Sequence, residues 1–178
     1  DGMAVDAPQL HAHRPENTLI RGNVTCGTPD DHLAGAAHVA QGAFETSYVE
    51  HAYIEPEAGA AWMDGETLCI HACTQAPVMD QEDTAKVLGL PLHRVRIIPS
   101  AAGGGFGSKL DVTLQPLLGL AVLKTGKPCR MVFTRTESMQ STTKRHPSSM
   151  RASIGADADG RIIAMTFHGD FNTGPYAS

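Results

Sequence analysis

The stretch Gly103-Gly104-Gly105-Phe106-Gly107-Ser108-Lys109 carries the residue types best suited to chemistry in this chain. Glycine reaches backbone conformations closed to other residues and lets main chain approach a ligand closely. Successive N–H groups in such a loop can converge on an oxyanion. A helix following the loop would add the positive end of its dipole to that field. The loop is therefore a candidate site for phosphate, or for any oxygen carrying negative charge, and a purely structural tight turn is the competing reading. Two familiar phosphate loops fit it poorly. A dinucleotide fingerprint needs G-x-G-x-x-G with an acid closing the next strand, whereas Ser108 stands at the third glycine and the next strand reads Cys129-Arg130-Met131-Val132-Phe133. A P-loop needs Gly-Lys-Ser/Thr, and the order here is Gly107-Ser108-Lys109-Leu110.

Other chemistry-bearing groups are less specific. Glu50, Glu55 and Glu57 stand near His51, but no H-E-x-x-H and no two-histidine-one-carboxylate spacing is present, so a structural polar network flanking a pocket is expected. Read as a strand, this segment would place Glu55 on one face with His51 and Glu57, and Glu50 on the other. The cysteines, Cys26, Cys69, Cys73 and Cys129, form no C-x-x-C pair, which points to reduced thiols rather than a zinc site. Lys144-Arg145-His146 reads as a solvated or salt-bridged corner, and the scattered methionines as core filling.

These residues need elements to position them. Residues 1–36 are rich in Pro, His, Asp and Gly without periodicity, with Pro29 and Asp30-Asp31 read as breakers, and are expected to be an extended arm. A long strand is expected over His38–Ile54. Ala58–Met63 and Thr67–Cys73 flank Asp64-Gly65 as a hairpin, with positive φ expected at both turn residues. A helix should start at Pro77 and end near Gly89. After it come a short β run over Arg94–Pro99 and the glycine loop. A second helix is expected over Val112–Lys124 with Gly126 closing it; Pro116 is awkward inside it unless in the first turn, which would move the start nearer Gln115. Arg130–Thr134 is β, and Ser149–Ala156 with Arg161–Asn172 forms a hairpin. The order β-β-β-α-β-α-β-β-β over residues 37–178 predicts an α+β fold, a mixed β-sheet with helices packed on one face.

Composition sets outer bounds. A chain of 178 residues with 42% hydrophobic and 19% charged residues is long enough and apolar enough to build a core without disulfides. Net charge is −5 with no basic stripe, which argues against nucleic acid as a partner. The longest apolar stretch, Leu117–Leu123, is far below the roughly 20 residues of a membrane span. No leader is visible; a cytoplasmic location is expected, with a periplasmic parent as the alternative. Neither Asp1-Gly2-Met3 nor the end at Tyr176-Ala177-Ser178 reads as a natural terminus, so a piece of a longer polypeptide is expected.

Four segments, in order, carry a family resemblance: Val49-Glu50-His51-Ala52-Tyr53-Ile54-Glu55-Pro56, Cys73-Thr74-Gln75-Ala76-Pro77, the loop Gly103–Lys109, and Arg135-Thr136-Glu137-Ser138-Met139 with Lys144-Arg145-His146-Pro147. Together they resemble the large subunit of molybdenum hydroxylases of the xanthine dehydrogenase and aldehyde oxidase type, from about Val39 to Ser178. The resemblance implies a fragment of the molybdenum-cofactor-binding region. It implies molybdopterin, or its cytosine dinucleotide form, as cofactor, with iron–sulfur clusters and FAD on other domains or subunits. It implies that Gln75 donates a hydrogen bond to an oxygen ligand of the metal, and that Gly104, Gly105, Phe106 and Gly107 bring backbone amides to the same group. Phe106 and Leu110 would line the substrate pocket, and no residue here would ligate the metal directly. Xanthine-type members resemble one another in a glutamate directly after the loop lysine; Leu110 in its place suits an aldehyde or another N-heterocycle. The glutamate that serves the family as general base lies in a later segment, so no catalytic residue is assigned here. The fragment alone is expected to be inactive and to hold no cofactor. Two other readings stay open: an anion- or nucleotide-binding module using Gly103–Gly107, and a non-catalytic interaction domain. A Gln75 that only caps the following helix is the plainer alternative for that residue.

Overall fold

A computed structural model describes residues 6–175; the Asp1-Gly2-Met3 start and the Tyr176-Ala177-Ser178 end read above lie outside the described residues. In chain order the elements are α1 (Pro29–Ala34), β1 (His38–Thr46), β2 (Ala58–Asp64), β3 (Thr67–Cys73), α2 (Pro77–Leu88), β4 (Val95–Ser100), α3 (Gln115–Thr125), β5 (Cys129–Val132), α4 (Arg135–Ser141), β6 (Ser148–Ala156) and β7 (Ile162–Phe171). Short 3-10 turns occupy Pro15–Asn17, Leu92–Arg94 and Ser108–Leu110. The chain divides into two compact units, residues 1–48 with 146–178, and residues 49–145.

The second unit carries the glycine loop. Its four strands lie in the order β4-β3-β2-β5, antiparallel except for the parallel pair β3 and β4. A parallel pair needs a crossover, and α2 provides it. Leu68, Ile70 and Ala72 alternate along β3 and meet Ala61, Leu114, Leu118 and Val122, a buried cluster that Leu88 and Leu90 join from the side of α2. Gly119 lets the two helices close up, because a Cβ there would stand 2.6 Å from Leu88 Cδ1 and 3.0 Å from Leu68 Cδ2. The mixed sheet thus has helices on one face, as the α+β pattern predicts. The Pro at the first turn of α2 and of α3 falls where no helical hydrogen bond is lost, and Gly89 and Gly126 end them in left-handed conformation.

The first unit is a three-stranded antiparallel sheet, β1-β6-β7, with α1 packed against β6 and β7. The strands therefore form two sheets rather than the one expected.

Several local expectations need correction. The strand from His38 ends at Thr46, not Ile54. Beyond it Ala52 takes φ +54°, with its N–H held by the Glu50 carboxylate, and that turn drives Tyr53 into the core. Pro29 and Asp30-Asp31 do not break structure: they start α1, where proline at the first position and acidic residues in the first turn favour a helix. In the hairpin the paired residues are Asp64 and Thr67, so Gly65 and Glu66 form the turn and only Gly65 has positive φ. The helix α4 was not anticipated, although its capping box, Thr134 with Glu137, is a T-x-x-E signature.

Candidate functional site

Parallel strands deliver their chain at the same end of a sheet, and ligands of such sheets gather outside those carboxyl ends. Here Cys73 and Ser100 are register partners at the ends of β3 and β4. Gln75 follows one and the glycine loop follows the other, so the topology brings them face to face.

The Gln75 carboxamide oxygen accepts the N–H of Gly107 at 3.0 Å and of Lys109 at 3.3 Å. Its main-chain N–H donates to the Lys109 carbonyl at 2.9 Å. The cap position of α2 is Ala76, held by Thr74 Oγ1 rather than by Gln75, so the helix-capping alternative does not apply. The carboxamide NH2 of exposed Gln75 donates to no described residue.

The loop itself turns sharply. Gly104 has φ +104° and Gly107 φ +99°, and Phe106 sits at φ +52°, a conformation costly for a side chain of that size. Gly104 runs so close to Tyr53 that a Cβ would stand 2.9 Å from Tyr53 Cβ. At Gly105 a Cβ would meet Gln75 Cδ at 2.7 Å, so the carboxamide can lie this close to the loop only because the residue is glycine. Ser108 N–H closes back on the Gly105 carbonyl at 3.0 Å. Among the described residues, the N–H groups of Gly104, Gly105 and Phe106 find no partner. Phe106 is 69% exposed and Leu110 42% exposed.

Beneath the loop the polar residues contact one another, although His51 Nδ1 and Glu57 Oε2 stay buried without a partner among the described residues. Glu55 accepts from Gly103 N–H at 2.7 Å and from Lys109 Nζ at 2.8 Å. Burial opposes the Glu55 charge, but these bonds and the lysine charge outweigh it and hold its carboxyl below the ordinary value. Tyr53 O–H donates to buried Glu57, and burial with that contact pushes the phenol up. Burial, helped by Arg145, lowers the His51 imidazole. Ser108 Oγ and Thr143 Oγ1 lie 3.1 Å apart. Glu50, Glu55 and Glu57 thus belong to a structural network, although not on strand faces. Lys144 turns its Nζ onto the Thr142 carbonyl. The residues that sequence reasoning left without a role at the loop are Tyr53, Glu55, Ser108 and Lys109. They stand inside two of the matching segments, and that placement was the available signal.

The helix expected to point its positive end at the loop does not: α3 begins only at Gln115, beyond the turn Ser108–Leu110. Among the described residues no group of three or more His, Cys, Asp or Glu could hold a metal ion, and no helix is long and apolar enough to cross a membrane.

Fold and site define an α+β unit that offers a carboxamide and three free main-chain amides from the ends of adjacent parallel strands. A family model described as the molybdopterin cofactor-binding domain matches residues 10–178. The nicotinate dehydrogenase large molybdopterin subunit of Eubacterium barkeri is 40% identical over 97% of this chain and 40% of its own length. A probable hypoxanthine oxidase of Escherichia coli (strain K12) is 33% identical over 93% of this chain and 17% of its own. Among solved structures, the aldehyde oxidoreductase of Desulfovibrio gigas superposes with a TM-score of 0.76 at 25% identity, covering 96% of this chain and 19% of that one. The chain belongs to the molybdopterin cofactor-binding domain family of molybdenum hydroxylases. It spans less than half the length of these relatives.

Proposed function

We propose that this chain holds the metal end of a molybdopterin cofactor within a molybdenum hydroxylase large subunit that oxidises an aldehyde or an N-heterocycle. The observation that carries this reading is the Gln75 carboxamide held against the glycine loop by Gly107 and Lys109 N–H, in a loop whose Gly104, Gly105 and Phe106 amides have no partner among the described residues. The donor set fits the group: its free donors are neutral amides, and Gly105 lets the carboxamide lie against the loop. Molybdopterin supplies the redox chemistry when bound, accepting two electrons as a substrate carbon is hydroxylated with oxygen from water. The Gln75 NH2 and the loop amides would hydrogen-bond oxygen carried by the cofactor and fix its orientation. Phe106 would present its exposed ring to a planar substrate, and Leu110 would give the pocket an apolar wall. Leu110, where purine-oxidising members resemble one another in a glutamate, supports an aldehyde or a heterocycle such as the pyridine named for the nicotinate enzyme.

Residues 37–178 serve in this reading as part of the binding domain and residues 1–36 as the connector into it. The rest of the large subunit, with the general base and further cofactor loops, completes the site. Iron–sulfur and flavin domains or subunits carry electrons away. The free cysteines Cys26, Cys69, Cys73 and Cys129 suit a reducing cytoplasm.

The test is molybdenum content. The full-length protein made in cofactor-producing cells is expected to carry molybdenum, and Gly105→Val to lose it. The isolated 178-residue polypeptide is expected to lack turnover. Full loading of the Gly105→Val protein refutes this assignment; hydroxylase activity with stoichiometric metal from the isolated polypeptide refutes the expectation that the rest of the large subunit is needed to complete the site.

A further inference from the structure

Buried Lys109 and half-buried Glu55 form an ion pair that the proposed function leaves without a task. Lys109 Nζ donates to Glu55 Oε2 at 2.8 Å and to the Glu55 carbonyl at 3.0 Å, and lies 4.5 Å from the centroid of the Tyr53 ring. Its side chain is 3% exposed, whereas a lysine serving only the surface would keep its ammonium in water. Such a pair brings little net stability, because the desolvation of the lysine offsets an attraction that solvent at half-buried Glu55 weakens. What it brings here is geometry. Glu55 also holds both main-chain groups of Gly103, taking its N–H at 2.7 Å and donating to its carbonyl at 3.3 Å. Lys109 is joined through its own main chain to Gln75, by the 2.9 Å and 3.3 Å bonds described above. Gly103 opens the loop and Lys109 closes it, so one ion pair fastens both ends and connects them to the carboxamide.

We propose that Glu55 and Lys109 are positioning residues for the cofactor loop: their ion pair ties Gly103 to the residue that anchors Gln75, and so sets where the amides of Gly104, Gly105 and Phe106 stand relative to the Gln75 carboxamide. This rests on the loop being the cofactor cradle. Neither residue touches the cofactor; each acts through the backbone it holds.

The test uses the full-length protein from cofactor-producing cells, as wild type, E55Q, K109M and the E55Q/K109M double variant. Three quantities are read: molybdenum per polypeptide, hydrogen exchange of a peptide covering residues 103–109 against peptides from β2 and β3, and the Mo(V) EPR signal. In K109M the loop is expected to exchange about tenfold faster while β2 and β3 stay at wild-type rates, because a local tie has been cut rather than the core. Its EPR signal should depart from wild type. E55Q should fall between the two, since glutamine still accepts the Gly103 N–H. The double variant should be no faster than K109M, because partners in one interaction are not additive. Should K109M not be recovered as soluble protein, the double variant leaves no unpaired charge at the pair and carries the test, with the same faster loop expected. A loop indifferent to all three variants with unchanged EPR overturns the proposal. So does acceleration of β2 and β3 together with the loop, or additive effects. A wild-type protein without molybdenum sinks the cofactor reading and this proposal with it; a loaded wild type whose variants leave the loop unmoved sinks only the proposal.

Discussion

Replacing Gly105 by alanine isolates one contact at the site. Gly105 does not use a left-handed φ, so alanine meets no backbone penalty, and the whole cost comes from its Cβ. That atom would stand 2.7 Å from Gln75 Cδ and 3.2 Å from Cγ, well inside van der Waals contact. Gln75 must swing away and release the Gly107 and Lys109 N–H groups. At about 1 kcal/mol for a good hydrogen bond and less for the longer one, the loss is about 1.5 kcal/mol. Alanine also restricts the unfolded chain, which returns about 0.4–1 kcal/mol. The expected net is a destabilisation of about 1 kcal/mol. In a Gln75→Ala background the clash and both bonds are already gone, so the same substitution should stabilise by about 0.4–1 kcal/mol. Urea unfolding followed by the single tryptophan, Trp62 in β2, reads both values from the midpoint at constant slope. An equal cost of Gly105→Ala in both backgrounds would show that glycine is needed there for a reason other than the carboxamide.

Two further substitutions probe what supports the site. Leu118→Ala removes a side chain 1% exposed at the centre of the sheet–helix cluster and should cost about 2–5 kcal/mol in the same unfolding measurement; a loss below about 1 kcal/mol would mean that α3 does not rest on that sheet. Asp80 is fully buried at the start of α2, where burial, opposed by hydrogen bonds from Thr74 and Gln115, raises its carboxyl above the ordinary value of 3.8. The folded state then holds the proton more tightly than the unfolded chain, so this group's contribution is present at low pH and lost as pH rises above 3.8. Asp80→Asn keeps an acceptor for Gln115 Nε2 without the charge. It should be at least as stable as wild type near pH 7, its margin shrinking toward about pH 4; a margin that grows on acidification refutes the burial argument.

The elements of the second unit were legible because their signals are local and agree with one another. Asp64-Gly65 between β runs, Pro77 ahead of α2 and Pro116 in the first turn of α3 each mark a boundary by a single steric rule. Segments with conflicting signals were misread. In Pro29-Asp30-Asp31 the residues that break a helix interior are those that begin one, and only position separates the two outcomes. The segment from Tyr48 to Glu57 alternates like a strand, yet the Glu50 carboxylate takes the Ala52 N–H and turns the chain, a tertiary decision that periodicity does not record. At the site, Gln75 and the loop could be named from residue type. Their meeting depends on β3 and β4 being adjacent and parallel, and the order β-α-β carries that information only weakly. Lys109 was least legible: in sequence it is a loop lysine beside a serine, and its burial against Glu55 follows from a contact fifty-four residues away.

That same burial bears on what kind of ligand the loop can take. A phosphate loop works by adding a mobile lysine and a helix dipole to its amides, so that the charge of the ligand is met by opposite charge. In this chain the lysine is turned beneath the loop and neutralised by Glu55, and the turn Ser108–Leu110 stands between the loop and α3. The free donors are neutral: three backbone amides and a carboxamide NH2. Such a set attracts a terminal oxygen of partial charge held in place by other bonds, and it has little with which to retain a free polyphosphate in competition with water. On the proposed reading a cofactor oxygen suits the loop better than a nucleotide, for the same reason that the P-loop pattern fails in the sequence: the cation that would make the difference is paired with Glu55.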